Sequence, residues 1–215
     1  MIEPLVGAAS SVVVVRHAVV AGALAVLRSR DSSQIEFRAS ARTIARALAY
    51  EATRDLPTEA IDVETPLTVT SGHRLSAPVV VAPILRAGLG MLDAFLDIVP
   101  GASTGFIGLK RDETTLLPHE YYRNLPPTAG SHFFLLDPML ATGGSVRAAL
   151  DAIDADALAS CTLLSFIAAP EGIAAVSAAH PRLRIVTASI DERLNDCGFI
   201  LPGLGDAGDR LCGTV

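Results

Sequence analysis

The spacing of the apolar residues most constrains what this chain can become. Apolar runs of strand length recur at 79–82, 105–109, 132–136, 162–168 and 183–188, and stretches with helical spacing lie between most of them, at 89–98, 145–154 and 171–179. Strand and helix in alternation predict an α/β architecture, an open and mostly parallel sheet flanked by helices. Half of the residues are apolar, with no Trp, which suits strands buried on both faces. In such sheets ligands bind outside the carboxyl ends of the strands, so the residues following each strand are the candidate site.

The rest of the composition narrows the function. Charged residues make up 19%, and 17 Lys+Arg against 23 Asp+Glu leave a net charge of −6. Disorder is excluded by the apolar content, and nucleic-acid binding is disfavoured because no basic excess exists to neutralise phosphates. Cys161, Cys197 and Cys212 form neither a disulfide framework nor a zinc spacing. The apolar stretch 5–27 carries Arg16 and His17 at its centre and no basic leader, so neither a signal peptide nor a membrane span is expected. These features predict a soluble, cytoplasmic chain without membrane partners.

Ahead of the alternating region, a short β-branched run at 12–15 precedes helical patterns over 17–30 and 34–53. Asp31, Ser32 and Ser33 supply the N-cap of the second. Residues 1–57 are expected to form an N-terminal helical element that packs on the sheet or meets another subunit. The segments 110–127 and 195–215 read as neither strand nor helix, and long irregular stretches in a compact domain are commonly functional. The whole of 1–215 is expected to be one domain.

The segment that carries chemistry is FFLLDPMLATGGSVRAALDAI, residues 133–153. An apolar strand ends at Asp137, a turn follows, and a helix opens near Ser145. Gly143 and Gly144 let backbone amides converge beside the Thr142 and Ser145 hydroxyls, and the helix N-terminus adds partial positive charge. This is a phosphate cradle. It is not the nucleoside-triphosphate loop, because no Lys follows the glycines. Asp137 would repel a lone phosphate, but it accepts hydrogen bonds from ribose hydroxyls if the ligand is a sugar phosphate.

DPMLATGGS resembles the phosphoribosyl-diphosphate (PRPP) loop of type I phosphoribosyltransferases, in the version found in the uracil-specific branch. YEATRDLP at 50–57, APILRAGLGML at 82–92 and GFILPGLGDAGDRLCGT at 198–214 resemble the same family, as do AAPEGI and TASIDERLN between them. The resemblance implies the type I fold with N-terminal helices and a C-terminal base-binding hood over 195–215. It implies conversion of uracil and PRPP to UMP and diphosphate in pyrimidine salvage, with Mg²⁺ carried by PRPP rather than held directly by the protein. By the same resemblance PRPP meets Arg86, Arg111, Asp206 and the loop Asp137, Pro138, Met139, Leu140, Ala141, Thr142, Gly143, Gly144 and Ser145. Uracil meets Ile200, Gly205, Asp206 and Ala207. Arg86 and Asp206 are the implied catalytic residues, since leaving diphosphate needs fixed positive charge and the base needs a carboxylate within reach. A homodimer or larger homo-oligomer and a GTP effector are further implications.

Departures from the family pattern matter too. Phe199 stands where Tyr is usual, which predicts weaker uracil binding. Ala141 replaces a loop acid of the wider superfamily, leaving no loop-borne general base. The segment 112–127 resembles an arm near the active site that excludes water or meets a second subunit. The competing reading is a PRPP-fold regulator that senses nucleotides without turnover.

Overall fold

The computed structural model describes residues 11–111 and 118–214. The strands are β1 Val12–Val14, β2 Thr58–Glu64, β3 Val69–Leu75, β4 Val79–Leu85, β5 Ser103–Thr104, β6 Phe106–Arg111, β7 Pro118–Asn124, β8 His132–Leu136, β9 Met139–Leu140, β10 Cys161–Ala168, β11 Arg184–Ile190, β12 Arg193–Leu194 and β13 Ile200–Leu201. The helices are α1 Ala18–Arg28, α2 Gln34–Ala52, α3 Leu89–Leu96, α4 Gly144–Asp151, α5 Ala155–Ala159, α6 Pro170–Ala179 and α7 Ala207–Cys212.

The main sheet runs β1-β11-β10-β8-β4-β6-β7 and is parallel except for β7. Alternation along each strand separates two cores. Phe134, Leu136, Leu164, Phe166 and Val186 face the side where Phe37, Ile44, Leu48 and Phe95 of α2 and α3 pack. Phe133, Leu135, Leu163 and Ile185 face the other side, with Val146, Leu150, Ala157 and Val176 of α4, α5 and α6. A period of two explains this division: successive side chains on a strand point to opposite faces. All eight residues of β10 are buried, as expected for a central parallel strand.

The sheet's topology places the site. β4 and β8 are hydrogen-bonded neighbours, Val79 opposite His132 through Pro83 opposite Leu136. The chain after β4 builds outward to β6 and β7, whereas after β8 it builds the opposite way to β10 and β11. Strand order therefore reverses between β4 and β8, and open α/β sheets bind ligands in the crevice beyond the carboxyl ends at such a switch point. Arg86 follows one strand and Asp137 the other.

Two stretches expected to be irregular carry structure. Within 110–127, β7 pairs antiparallel with β6. Its described side chains from His119 to Asn124 are all exposed, so the buried alternation that reveals a strand in sequence is missing. Within 195–215, β13 pairs with β12, and Asp206 caps α7. The β2–β3 hairpin is also absent from the sequence reading; nearly all its residues are exposed. No helix among the described residues is long and apolar enough to cross a membrane.

Candidate active site

The turn after β8 is built by tying its carbonyls down and leaving its amides facing outward. The Phe166 amide donates to Pro138 O at 2.9 Å and the Ala169 amide to Leu140 O at 2.9 Å. Buried Ser165 accepts from the Leu140 amide at 3.1 Å and donates to Ile167 O at 3.1 Å. Pro138 through Ala141 are thus laced to β10. Beyond them Gly143 takes φ 79°, a left-handed conformation that only glycine adopts without strain, and α4 begins. The amides of Thr142, Gly143, Ser145 and Val146 meet no acceptor among the described residues, and that of Gly144 has only the Thr142 hydroxyl at 3.4 Å. Unpaired amides at a helix N-terminus form an anion-binding concavity.

Asp137 sits at the floor of this turn. Burial pushes its carboxyl up to about 7, against a smaller lowering by the Met139 amide at 3.5 Å. Its environment favours ligands that bring hydroxyl donors or positive charge.

Three segments close around the crevice. A β-carbon added at Gly88, in the turn after Arg86, would lie 2.5 Å from Leu136 O, so this turn abuts the end of β8. A β-carbon at Gly208 would lie 3.7 Å from that of Ala87, which sets the start of α7 on the same turn. A β-carbon at Gly198 would meet Thr142 Cγ2 at 3.6 Å, bringing the β12–β13 turn beside the amide cluster. Arg86 follows a cis Leu85–Arg86 peptide and reaches Asp209 Oδ1 of α7 at 3.5 Å.

In the tail, Ile200 and Ala207 are buried while Gly205 and Asp206 are exposed. One oxygen of Asp206 accepts from the Asp209 amide at 2.9 Å as the cap of α7, and its other oxygen has no partner among the described residues. Arg111 ends β6; its side chain and residues 112–117 of the expected arm lie outside the described residues. The Phe199 side chain is about half exposed at the edge of the β12–β13 turn. No three His, Cys, Asp or Glu side chains converge on a metal position among the described residues.

Across this architecture, a family model described as uracil phosphoribosyltransferase matches residues 14–214. The chain belongs to the uracil phosphoribosyltransferase family. A uracil phosphoribosyltransferase from Symbiobacterium thermophilum is 50% identical over 207 residues, covering 95% of this chain and 99% of that protein. One from Streptococcus salivarius is 46% identical over 203 residues, covering 94% and 97%. Among solved structures, the AQ2163 protein from Aquifex aeolicus superposes with a TM-score of 0.88 at 38% identity, covering 94% of this chain and 98% of its own.

Several residues that shape this uracil phosphoribosyltransferase site escaped the sequence reading. Ser165 and Gly172 support the loop from β10 and α6. Asp191 and Arg28 hold the tail, and Asp209 faces Arg86. The segments AAPEGI and TASIDERLN had been matched to the family, but only the fold shows what their Gly172 and Asp191 touch. Asp191, an acid directly after a strand, carries the same positional signal that singled out Asp137.

Proposed function

We propose that the chain transfers the phosphoribosyl group of PRPP to uracil, giving UMP and diphosphate, as a pyrimidine-salvage enzyme. The amides of Thr142, Gly143, Ser145 and Val146, left without acceptors among the described residues beside Asp137 at the β4–β8 switch point, carry this reading in a chain whose family match is nearly full length. The regulator alternative gains no support from the relatives, which are described as the enzyme.

In this reading the 5′-phosphate sits on the Thr142–Ser145 amides, with the two hydroxyls beside them. Asp137 faces the ribose hydroxyls. Pro138, Met139, Leu140 and Ala141 set the turn's distance from β10. Arg86 and Arg111 hold the diphosphate, and their fixed guanidinium charge stabilises the leaving oxygens as the anomeric bond stretches. Mg²⁺ arriving with PRPP would supply further neutralisation there. Ile200, Gly205 and Ala207 present main-chain donors and acceptors to the edge of uracil. Cytosine carries an amino donor where uracil has O4, so a site built on that edge leaves buried groups unpaired with cytosine, a mismatch worth about 10⁴-fold or more. The open oxygen of Asp206 faces the ribose side of PRPP and takes up the proton from uracil N1.

The direct test is incubation with PRPP and Mg²⁺ and each of uracil, cytosine and hypoxanthine, with and without GTP, followed by assay of nucleoside monophosphates. UMP alone is expected. Formation of IMP or CMP at comparable rates, or no product, overturns the reading.

Self-association belongs to the same proposal. The β2–β3 hairpin exposes Val63, Leu67, Val69 and Leu75, and a lone two-stranded hairpin is marginal in water. A second copy covering it accounts for both features. Sedimentation velocity should show a dimer or a multiple of it; a monomer at micromolar concentration contradicts this.

A further inference from the structure

We propose that Asp191, paired with Arg28, is a positioning residue for nucleobase recognition: the pair fixes the backbone of the tail at Gly203 and thereby sets the main-chain edge that reads uracil. The proposal rests on reading 200–207 as the uracil side of the site.

The network spans distant parts of the chain. Arg28 is the last residue of α1, and Asp191 follows β11. The guanidinium meets the carboxylate in a fork, Nη1 to Oδ2 at 2.7 Å and Nη2 to Oδ1 at 2.5 Å. Ser189 Oγ donates to Oδ1 at 2.8 Å, and the Gly203 amide donates to Oδ2 at 2.9 Å. Arg28 Nη1 also donates to Gly203 O at 2.8 Å. One glycine thus has both of its main-chain polar groups held, one by each member of the pair. Burial by itself would raise the Asp191 carboxyl, but the bonds from Arg28, Ser189 and Gly203 outweigh it and hold the group below the usual carboxylate range. Bidentate pairs of this kind fix geometry as well as charge.

Gly203 lies between Ile200 and the Gly205–Ala207 segment. It is buried, with φ 67°. Without a side chain it cannot be located by packing, so polar bonds to its backbone must do so. Arg210 anchors the next residue: Nη1 donates to Leu204 O at 2.7 Å and to Leu27 O at 2.5 Å, while Nη2 donates to Ser29 O at 2.6 Å. Both anchors end on the last turn of α1. A base read by main-chain atoms has no flexible side chain to correct an error of position, and displacements near 1 Å cost about 10²-fold in such sites. The anchor therefore acts on base affinity and choice rather than on PRPP.

The test separates this role from a stabilising one. Asp191→Asn keeps the shape but turns an amide NH₂ or a neutral oxygen toward Arg28; Arg28→Lys keeps the charge and loses the fork. With PRPP saturating, the uracil KM should rise tenfold or more in Asp191→Asn and at least threefold in Arg28→Lys. The preference for uracil over cytosine should fall in both, and the PRPP KM should stay within twofold of wild type. A purely structural role would lower active protein and apparent kcat while leaving the uracil KM and base preference unchanged, and that result overturns the proposal. If Asp191→Asn does not fold, Arg28→Lys decides by the same criteria. Wild-type protein that makes no UMP refutes the site reading itself, and this inference with it; wild-type activity with unaltered KM values in the variants refutes the inference alone.

Discussion

Gly172 presses directly on the carbonyl of Ala141: a β-carbon at Gly172 would fall well inside van der Waals contact of that oxygen and 2.8 Å from Leu140 O. The first turn of α6 and the phosphate turn therefore touch backbone to backbone. Further along the turn, a β-carbon at Gly143 would lie 2.8 Å from Val176 Cγ2 of the same helix. The amide cluster is held against α6 with no room for a methyl group.

Gly172→Ala is accordingly expected to displace the turn rather than the helix, because the helix is packed against the sheet through Val176. Forced overpacking of this size costs about 1–3 kcal/mol. The PRPP KM should rise at least tenfold, and thermal stability should fall by several degrees at most. An unchanged PRPP KM in a well-folded variant would show that the turn does not need this contact.

The Asp137 carboxyl predicts a pH-dependent stability cost. Its folded pKa, about 7, lies above the unfolded value of 3.8. Well below pH 3.8 it is neutral in both states and costs nothing. As pH rises toward 7 the unfolded chain ionises more readily than the folded one, so stability falls, and the full cost is present above 7. The ceiling is about 4 kcal/mol, at about 1.36 kcal/mol for each pKa unit, and solvent entering at the strand end reduces it to roughly 1–2 kcal/mol. Asp137→Asn should therefore raise Tm at pH 8 by roughly 3–6 °C, leave it unchanged at about pH 2.5, and abolish most activity. Equal Tm differences at both pH values would refute the assignment.

The strands and the strand–turn–helix geometry from β8 to α4 were legible because their signals are local. His132–Leu136 is a strand in sequence and structure alike, and α2 starts where the Ser33 cap predicts it. The turn from Asp137 to Ser145 is contiguous, so its glycines, hydroxyls and helix start can be read together. Elements with no buried face were not readable: nearly every residue of β2 and β3 and every described side chain of β7 is exposed, so no run of core-facing apolar residues marks them. The capping role of Asp206 was missed although Asp209 follows at the spacing of a helix start. What sequence cannot show is pairing across distance. Arg28 and Asp191 are separated by 163 residues, and nothing near either one names the other.

A stability prediction independent of the site concerns α2. Ser33 Oγ accepts from the Glu36 amide at 3.3 Å, and the Glu36 carboxylate accepts from the Ser33 amide at 2.8 Å, a reciprocal cap. Removing the hydroxyl costs about 1 kcal/mol. Ser33→Ala should lower Tm by roughly 2–4 °C with kcat and both KM values unchanged at 25 °C. A calorimetric scan checks the first expectation and steady-state kinetics the second.

The final prediction follows from the charge facing Arg86. Its guanidinium lies 3.5 Å from Asp209 Oδ1, and that carboxylate also accepts from Thr214 Oγ1 at 2.6 Å. In the proposed role of Arg86, diphosphate competes with this partner and meets the repulsion of a nearby negative charge. The pair is largely open to solvent, so it is worth at most about 1 kcal/mol. Asp209→Asn should then lower the PRPP KM roughly two- to fivefold in dilute buffer, and the gain should shrink at high salt, where exposed charges are screened. Arg86→Gln, by contrast, removes charge from the leaving oxygens and should cut kcat by roughly 10²-fold or more, as loss of a fixed transition-state donor does. A PRPP KM that rises in Asp209→Asn would mean the carboxylate orients Arg86 for diphosphate instead of competing with it.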